Sequence, residues 1–264
     1  MGYNILILDP AIWRVWLAGY SNGTKYTAEG WAKKQPDADL IFNLTTFGTR
    51  TGIPDTETII NGVRLVWGKE KVSDFVEINQ GDKVRGYSNA IKNGVINITD
   101  KFGGSSYRCG IGLTNKGHII IAQSSTRVTE LTFAQAVNSF VVARKQSVKI
   151  FVLEDGGGSV QEYAKRSKRY WTSTAEKRPV PTVICAALRG VPSLSRPIYD
   201  GAADGPDAEI IQALLGAMPV DGDPGPTTGK GIQMAQAALG FPPRLRCGIL
   251  SAYTAKAMGI KSTI

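Results

Sequence analysis

The chain has 264 residues, 42% of them hydrophobic, and a formal net charge of +9. That is enough for one large domain and a small one with ordinary cores, and the charge points to a polyanionic partner: nucleic acid, an anionic membrane, or a wall polymer bearing phosphate or carboxylate. The three cysteines, Cys109, Cys185 and Cys247, are odd in number and far apart, and His118 is the sole histidine with no Cys-x-x-Cys, so neither a disulfide framework nor a zinc site is expected.

In chain order, the first apolar run, Ile5 to Leu8, stops at Asp9, too short for a secretory or membrane-spanning segment. Leu6 stands where a myristoylation motif after Gly2 needs a hydroxyl. Short apolar or alternating runs at Asp39–Leu44, Ile59–Trp67 (broken by Asn61-Gly62), Phe75–Ile78 and Val95–Ile98 predict strands. Tyr107–Leu113 and His118–Gln123 flank Asn115-Lys116-Gly117 and predict a hairpin. A helix follows, capped by Thr132 with Gln135 three residues on; Phe133, Ala136, Val137, Phe140 and Val141 form its apolar stripe. Lys149–Leu153 reads as a buried strand running into Glu154-Asp155-Gly156-Gly157-Gly158-Ser159. Lys165, Arg166, Lys168 and Arg169, interleaved with Tyr163, Tyr170 and Trp171, form either a ligand-contacting rim or a solvated face. Val180–Leu188 predicts another buried strand. Beyond Gly190, Pro192, Pro197, Gly201 and Gly205 break regular structure, and Ile210, Ile211, Leu214 and Leu215 mark a helix face. The expected architecture is α+β: a mixed, β-rich catalytic domain over residues 1–192 and a three-helix module over residues 204–264.

Three consecutive glycines after a buried strand each cost about 0.5–1 kcal/mol in backbone entropy relative to alanine, so close approach should require them. Gly156, Gly157, Gly158 and Ser159 are therefore candidate ligand contacts, and Asp155 is the first choice for a catalytic carboxylate at the strand end; a tight turn whose carboxylate caps its own loop is the competing reading. Glycoside cleavage calls for a proton donor and a carboxylate that supports the oxocarbenium centre, with Glu154 or Glu162 as the second acid. Adjacent strand residues point to opposite faces, so Glu154 and Asp155 share a pocket only if the turn begins between them.

The strand followed by Asp-Gly-Gly-Gly-Ser resembles the phosphodiester glycosidase family, and further segments match in order over roughly residues 38 to 188. Asn43-Leu44-Thr45-Thr46-Phe47 looks like that family's Asn-Gly-Gly-Phe-Phe with both glycines replaced, and Asn61–Lys69 resembles its following hairpin. Tyr107-Arg108-Cys109-Gly110-Ile111-Gly112 looks like its Pro-Arg-Thr-Ala-Ile-Gly strand, the Thr132 helix like its helix before the acidic turn, and Arg178-Pro179-Val180-Pro181-Thr182 like its closing strand. Leu153 replaces the usual asparagine, Glu154 adds a carboxylate, and Val160 replaces a second serine. On this resemblance Arg108 would grip a phosphate or sugar carboxylate through its planar fork, or form a structural ion pair. Asn43 and Ser159 would orient sugar hydroxyls or satisfy turns.

Asp221-Gly222-Asp223-Pro224-Gly225-Pro226-Thr227-Thr228 resembles the Asp-Gly-x-x-Gly-x-x-Thr signature of the three-helix peptidoglycan-binding domain, and the glycine-to-threonine step recurs at Gly248–Thr254. The following helix, with Ile232 to Leu239, would be capped by Thr227 or Thr228. Asp221, Gly222, Gly225 and Thr228 are candidate wall contacts or helix caps. Together the two resemblances imply an endolysin-like wall hydrolase, made in the cytoplasm without a signal peptide and acting on the wall after release. It would cleave a glycosidic bond of peptidoglycan or, alternatively, a sugar-1-phosphodiester of a wall polymer; a non-catalytic wall-binding or virion protein is the reading from another class. Peptidoglycan or an anionic wall polymer is the expected partner, with no cofactor or metal, no nucleic-acid partner and no stable membrane insertion.

Overall fold

The computed structural model describes residues 2–20, 22, 24–43, 56–65, 73–98, 104–154, 156–172, 177–190, 193–217 and 220–263. The chain opens with β1 (Tyr3–Leu8), β2 (Trp13–Gly19), α1 (Ala28–Lys34) and β3 (Leu40–Asn43). β4 (Thr58–Ile60), β5 (Val63–Arg64), β6 (Phe75–Glu77), β7 (Lys83–Arg85), β8 (Ser88–Lys92) and β9 (Val95–Ile96) follow. β10 (Cys109–Thr114), β11 (Ile119–Ser124), α2 (Glu130–Ala143) and β12 (Val148–Leu153) lead to the glycine turn. After it come β13 (Gln161–Ala164), β14 (Arg169–Thr172), β15 (Thr182–Leu188) and β16 (Ser193–Leu194), then α3 (Pro206–Leu215), α4 (Pro226–Ala238), α5 (Ala252–Ala257) and β17 (Lys261–Ser262). The class is α+β, as the sequence predicts.

Two sheets carry the fold. One runs β1-β11-β10-β12-β8-β9, the other β14-β13-β3-β15-β2, and every pairing within them is antiparallel. Their facing sides share one apolar cluster, with Leu6, Ile111 and Ile121 from the first sheet against Leu17, Leu40 and Phe42 from the second. The outer face of the first sheet buries Ile120 and Phe151 against Phe133 and Val137 of α2. The outer face of the second buries Ile41 and Val183 against Trp31 of α1. Each sheet is thus covered on both sides, and the apolar runs at Ile5–Leu8 and Ile150–Leu153 follow from that, because successive side chains enter different cores. A smaller sheet, β5-β4-β7-β6, places Val76 and Val84 in the cluster shared by the large sheets.

Local chemistry sets the turns. Asn61 (φ 50°) and Gly62 (φ 77°) make the β4–β5 turn, and Asn93 (φ 51°) and Gly94 (φ 78°) repeat it between β8 and β9. The α2 cap is Thr129, not Thr132: its side chain accepts from the Thr132 amide at 3.1 Å, so the helix starts one turn earlier than the Thr132/Gln135 pattern implied. The α4 cap is likewise Gly225, with Pro226 in the first helical turn, while Thr228 lies inside the helix.

Gly112 of β10 lies against β12 with no room for a side chain; a Cβ there would sit 2.3 Å from the Ile150 carbonyl oxygen. Gly112→Ala is expected to destabilise the protein by about 3 kcal/mol through overpacking, visible as a lowered urea midpoint; an unchanged midpoint would contradict the packing described here.

The C-terminal helices join the same apolar cluster through Ile211, Leu214, Leu215, Ile232 and Ala255. Polar contacts add direction. Arg144 Nη2 reaches Glu209 at 3.3 Å and the Val220 carbonyl at 3.0 Å. The basic β13–β14 turn contributes too: Ser167 Oγ donates to the Leu215 carbonyl at 2.8 Å, and Arg166 joins Asp39 at 3.0 Å and the Met258 carbonyl. Lys165 and Lys168 are exposed. The turn is therefore not only a solvated face, since Arg166 holds the end of α5 and Ser167 holds α3.

Candidate active site

β12 delivers the chain to the turn through its pairing with β10: the Glu154 amide donates to the Cys109 carbonyl and the Gly157 amide to the Tyr107 carbonyl, both at 3.0 Å. This explains the glycines. A Cβ on Gly156 would lie 2.6 Å from the Tyr107 carbonyl oxygen, Gly157 has φ 62°, and a Cβ on Gly158 would lie 3.1 Å from Arg178 Nη2. Close approach accounts for Gly156 and Gly158 and a left-handed backbone for Gly157, and the groups that approach are the protein's own backbone and one guanidinium. Ser159 is buried, and its Oγ accepts from Arg178 Nη1 at 3.4 Å. Arg178 itself is held from behind, because Gln161 Nε2 donates to its carbonyl at 2.6 Å.

Beneath the turn, at the same end of the two large sheets, lies a buried polar cluster. Asn43 Oδ1 accepts from the Gln161 amide at 3.0 Å and from Gln123 Nε2 at 3.3 Å, and Gln123 Nε2 also reaches the Gln161 carbonyl at 3.0 Å. Asn4 Nδ2 donates to Glu162 Oε2. Glu162 pairs with Phe42 across β3, and its side chain enters the space between the sheets. Burial pushes its carboxyl up to about 7, against the opposing pull of the Arg169 charge and the Asn4 amide.

These placements sort the candidate residues. Gly156, Gly157, Gly158 and Ser159 form the turn, while Asp155 and residues 44–47 lie outside the described residues. Glu154 is 1% exposed and Glu162 2% exposed, so both acids point into the interior. Asn43 is buried and clamps three strands together. Arg108 donates from Nη1 to Glu130 and to the Tyr87 hydroxyl, both at 3.1 Å, and from Nη2 to the Gly104 carbonyl at 2.9 Å. Its fork is occupied by a structural ion pair, and Arg178 is the guanidinium set against the turn. Nothing local marks Arg178 for that position; it lies 20 residues after Gly158 and arrives with the chain segment that enters β15. His118 stands 3.7 Å from Asp9 and 3.3 Å from Gln146, lining a cavity of about 340 Å³ between β1 and α3, away from the turn. Among the described residues, no cluster of His, Cys, Asp and Glu is placed to hold a metal ion.

The topology and the turn at the end of β12 can be set beside known proteins. The fold resembles that of a phosphodiester glycosidase. The catalytic domain of zebrafish N-acetylglucosamine-1-phosphodiester alpha-N-acetylglucosaminidase, auto-inhibited by its pro-peptide, superposes with a TM-score of 0.53 at 15% identity, covering 71% of this chain and 83% of that one. A hypothetical protein from Synechocystis gives the same TM-score at 10% identity, covering 71% of this chain and 59% of that one. No family model matches the sequence, and no curated protein matches it. At such identities the phosphodiester glycosidase likeness is one of fold.

The C-terminal helices have a geometry of their own. Gln212 of α3 donates to Asp221 Oδ1 (2.9 Å), the Asp223 carbonyl (2.9 Å) and Thr228 Oγ1 (3.2 Å), while its Oε1 accepts from the amides of Asp221 (3.0 Å) and Gly222 (2.8 Å). Gln236 of α4 repeats the device, donating to the Ile249 carbonyl (3.2 Å) and Thr254 Oγ1 (3.3 Å) and accepting from the Gly248 amide (3.2 Å). The recurring glycine-to-threonine step is thus a loop wrapped around a buried glutamine, with Gly222 and Gly248 both at positive φ. Asp221, Gly222 and Thr228 are engaged in this wrapping, and Gly225 caps α4. Between the two loops a groove of about 420 Å³ is lined by Tyr199, Asp200, Lys230, Gln233 and Gly248. Gln212→Leu strands the buried Gly222 amide, the partly buried Asp221 amide and the Thr228 hydroxyl, and a loss of about 3 kcal/mol is expected; a melting temperature equal to that of the parent would refute the importance of these bonds.

Proposed function

We propose that the protein is a wall-directed glycoside hydrolase acting on a sugar-1-phosphodiester of a bacterial wall polymer. The observation that carries this reading is the Arg178 guanidinium set against Gly158 and Ser159 while both Glu154 and Glu162 are buried. Cleaving a glycan strand ordinarily takes two carboxyl groups flanking the bond, one to protonate an alkoxide-like leaving oxygen. A phosphomonoester leaves as a stable anion and needs charge neutralisation instead of a proton, which a guanidinium supplies through two parallel N–H donors. In this scheme Asp155 supports the oxocarbenium centre, Arg178 receives the departing phosphate, and the buried amides of Asn43, Gln123 and Gln161 keep the turn rigid. The fold likeness to a phosphodiester glycosidase supports the same choice.

The C-terminal helices serve as a peptidoglycan-binding module in this reading. Their groove offers the Tyr199 ring as a stacking surface, with Asp200, Lys230 and Gln233 as polar partners for sugar hydroxyls. Holding the enzyme on the wall raises the local concentration of the bond it cleaves. A second reading, cleavage of the peptidoglycan strand itself in the manner of an endolysin, rests on that module alone.

The test is digestion of sacculi that retain their phosphate-linked polymers, and of sacculi stripped of them, by the parent and by Asp155→Asn, with products identified by mass spectrometry. Phosphomonoester ends and free sugar released only from polymer-bearing walls, and only by the parent, are the expected result. Disaccharide-peptides from stripped sacculi would establish the second reading. Binding without release of either would leave a non-catalytic wall protein.

A further inference from the structure

The C-terminal helices are strongly polarised in charge. Residues 226–264 carry five basic residues, Lys230, Arg244, Arg246, Lys256 and Lys261, and no acidic one, whereas residues 193–225 carry six acidic residues and a single basic one, Arg196. The basic half also leaves large apolar side chains in water: Tyr253 is 72% exposed, Leu245 52% and Leu239 39%. The segment 239–246, which holds Leu239, Arg244, Leu245 and Arg246, meets α5 through Phe241. The rings of Phe241 and Tyr253 lie 5.6 Å apart, Arg246 Nε donates to the Phe241 carbonyl at 2.8 Å, and Lys256 follows Tyr253 by three positions on α5.

We propose that this face docks on an anionic lipid bilayer, with Leu245, Leu239 and Tyr253 entering the headgroup boundary and Arg244, Arg246 and Lys256 meeting lipid phosphates. Charge complementarity fixes the sign of the partner, and the aliphatic side chains choose the bilayer: a phosphate-linked polyol or sugar polymer offers nothing apolar to cover leucines, whereas the acyl boundary does. The face is separate from the Tyr199 groove, so the chain can meet a wall and a membrane with different surfaces.

The experiment is co-sedimentation of the full chain with vesicles of phosphatidylglycerol and phosphatidylcholine, compared with phosphatidylcholine alone. Binding to the anionic vesicles only, reversed by salt, is expected; Arg244→Glu with Lys256→Glu should weaken it at least about tenfold, and Leu245→Ser with Tyr253→Ser should also weaken it. Lys116→Glu, at the exposed turn between β10 and β11, should leave binding close to parental. No sedimentation with anionic vesicles, equal sedimentation with neutral ones, or undiminished binding by the leucine and tyrosine variant would overturn the proposal. So would loss by Lys116→Glu equal to that of the double charge reversal. Release of products from sacculi by the same variants reports on the hydrolase reading separately, because none of these residues belongs to the turn or to the groove.

Discussion

Arg178→Ala is expected to lower the rate on a sugar-1-phosphodiester by about a hundredfold, the loss that follows removal of a preorganised charged donor from a developing anion. The same variant should lose much less on an aryl glycoside, whose leaving group carries no phosphate. Arg178→Lys should fall between, since an ammonium restores the charge without the planar fork that reaches Ser159 Oγ and lies over Gly158 at once. Steady-state rates on both substrates, with the melting temperature as a control for folding, check this. Equal losses on the two would remove phosphate recognition from Arg178 and reduce it to a brace for the turn.

The second large effect is on stability and depends on pH. Burial raises the Glu162 carboxyl from 4.5 to about 7. Between those values the unfolded chain releases a proton that the folded protein keeps, so stability falls as pH rises through that window and levels off above about 7. The whole drop amounts to about 3 kcal/mol, because each tenfold change in proton affinity is worth about 1.4 kcal/mol. Glu162→Gln keeps an oxygen for Asn4 Nδ2 and removes the ionisation. Urea midpoints at pH 8 should therefore rise above those of the parent by an amount approaching that drop, while at pH 4.5 the two should nearly coincide. A gain of the same size at both values would mean that Gln simply packs better. A loss at pH 8 would mean that the ionised carboxylate is a favourable partner of Arg169.

The α+β class was legible because the strands that build the sheets are apolar on a local scale: Lys149–Leu153 and Val180–Leu188 read as buried runs and form β12 and β15. β13 was not legible, since Gln161-Glu162-Tyr163 looks solvated; Glu162 and Gln161 are buried where Asn4 reaches Glu162 and Asn43 accepts from the Gln161 amide, both from far earlier in the chain. β2 was missed although its start alternates, with Arg14 outside between buried Trp13 and Val15, because Arg14 and Trp16 share the outer face, where Arg14 pairs with Asp37 and stacks on Trp16. At the site, the sequence singled out the glycine turn and expected approach of a ligand; the groups packed against Gly156 and Gly158 are the Tyr107 carbonyl and Arg178, and Gly157 is at positive φ. It pointed to Arg108 as the cation through resemblance, whereas the guanidinium against the turn is Arg178, and no spacing rule connects positions that meet only when the β15 segment crosses the end of β12. The Thr129 and Gly225 caps show the same limit at short range, for a hydroxyl or glycine one turn away is equally competent until packing selects the start of the helix.

The first two strands are divided between the large sheets: β1 pairs with residues 119–124 of one and β2 with residues 182–188 of the other. Each strand is therefore made long before its partner: more than a hundred residues separate β1 from β11, and more than a hundred and fifty separate β2 from β15. Their apolar side chains would stay uncovered over those intervals of synthesis. Closure of the sandwich becomes a late, long-range event, slow relative to the local hairpins and α2. Moving residues 2–19 to the far end of the polypeptide in a circular permutant would let them emerge into a preformed groove, and so would shorten the wait without altering a single contact of the folded molecule.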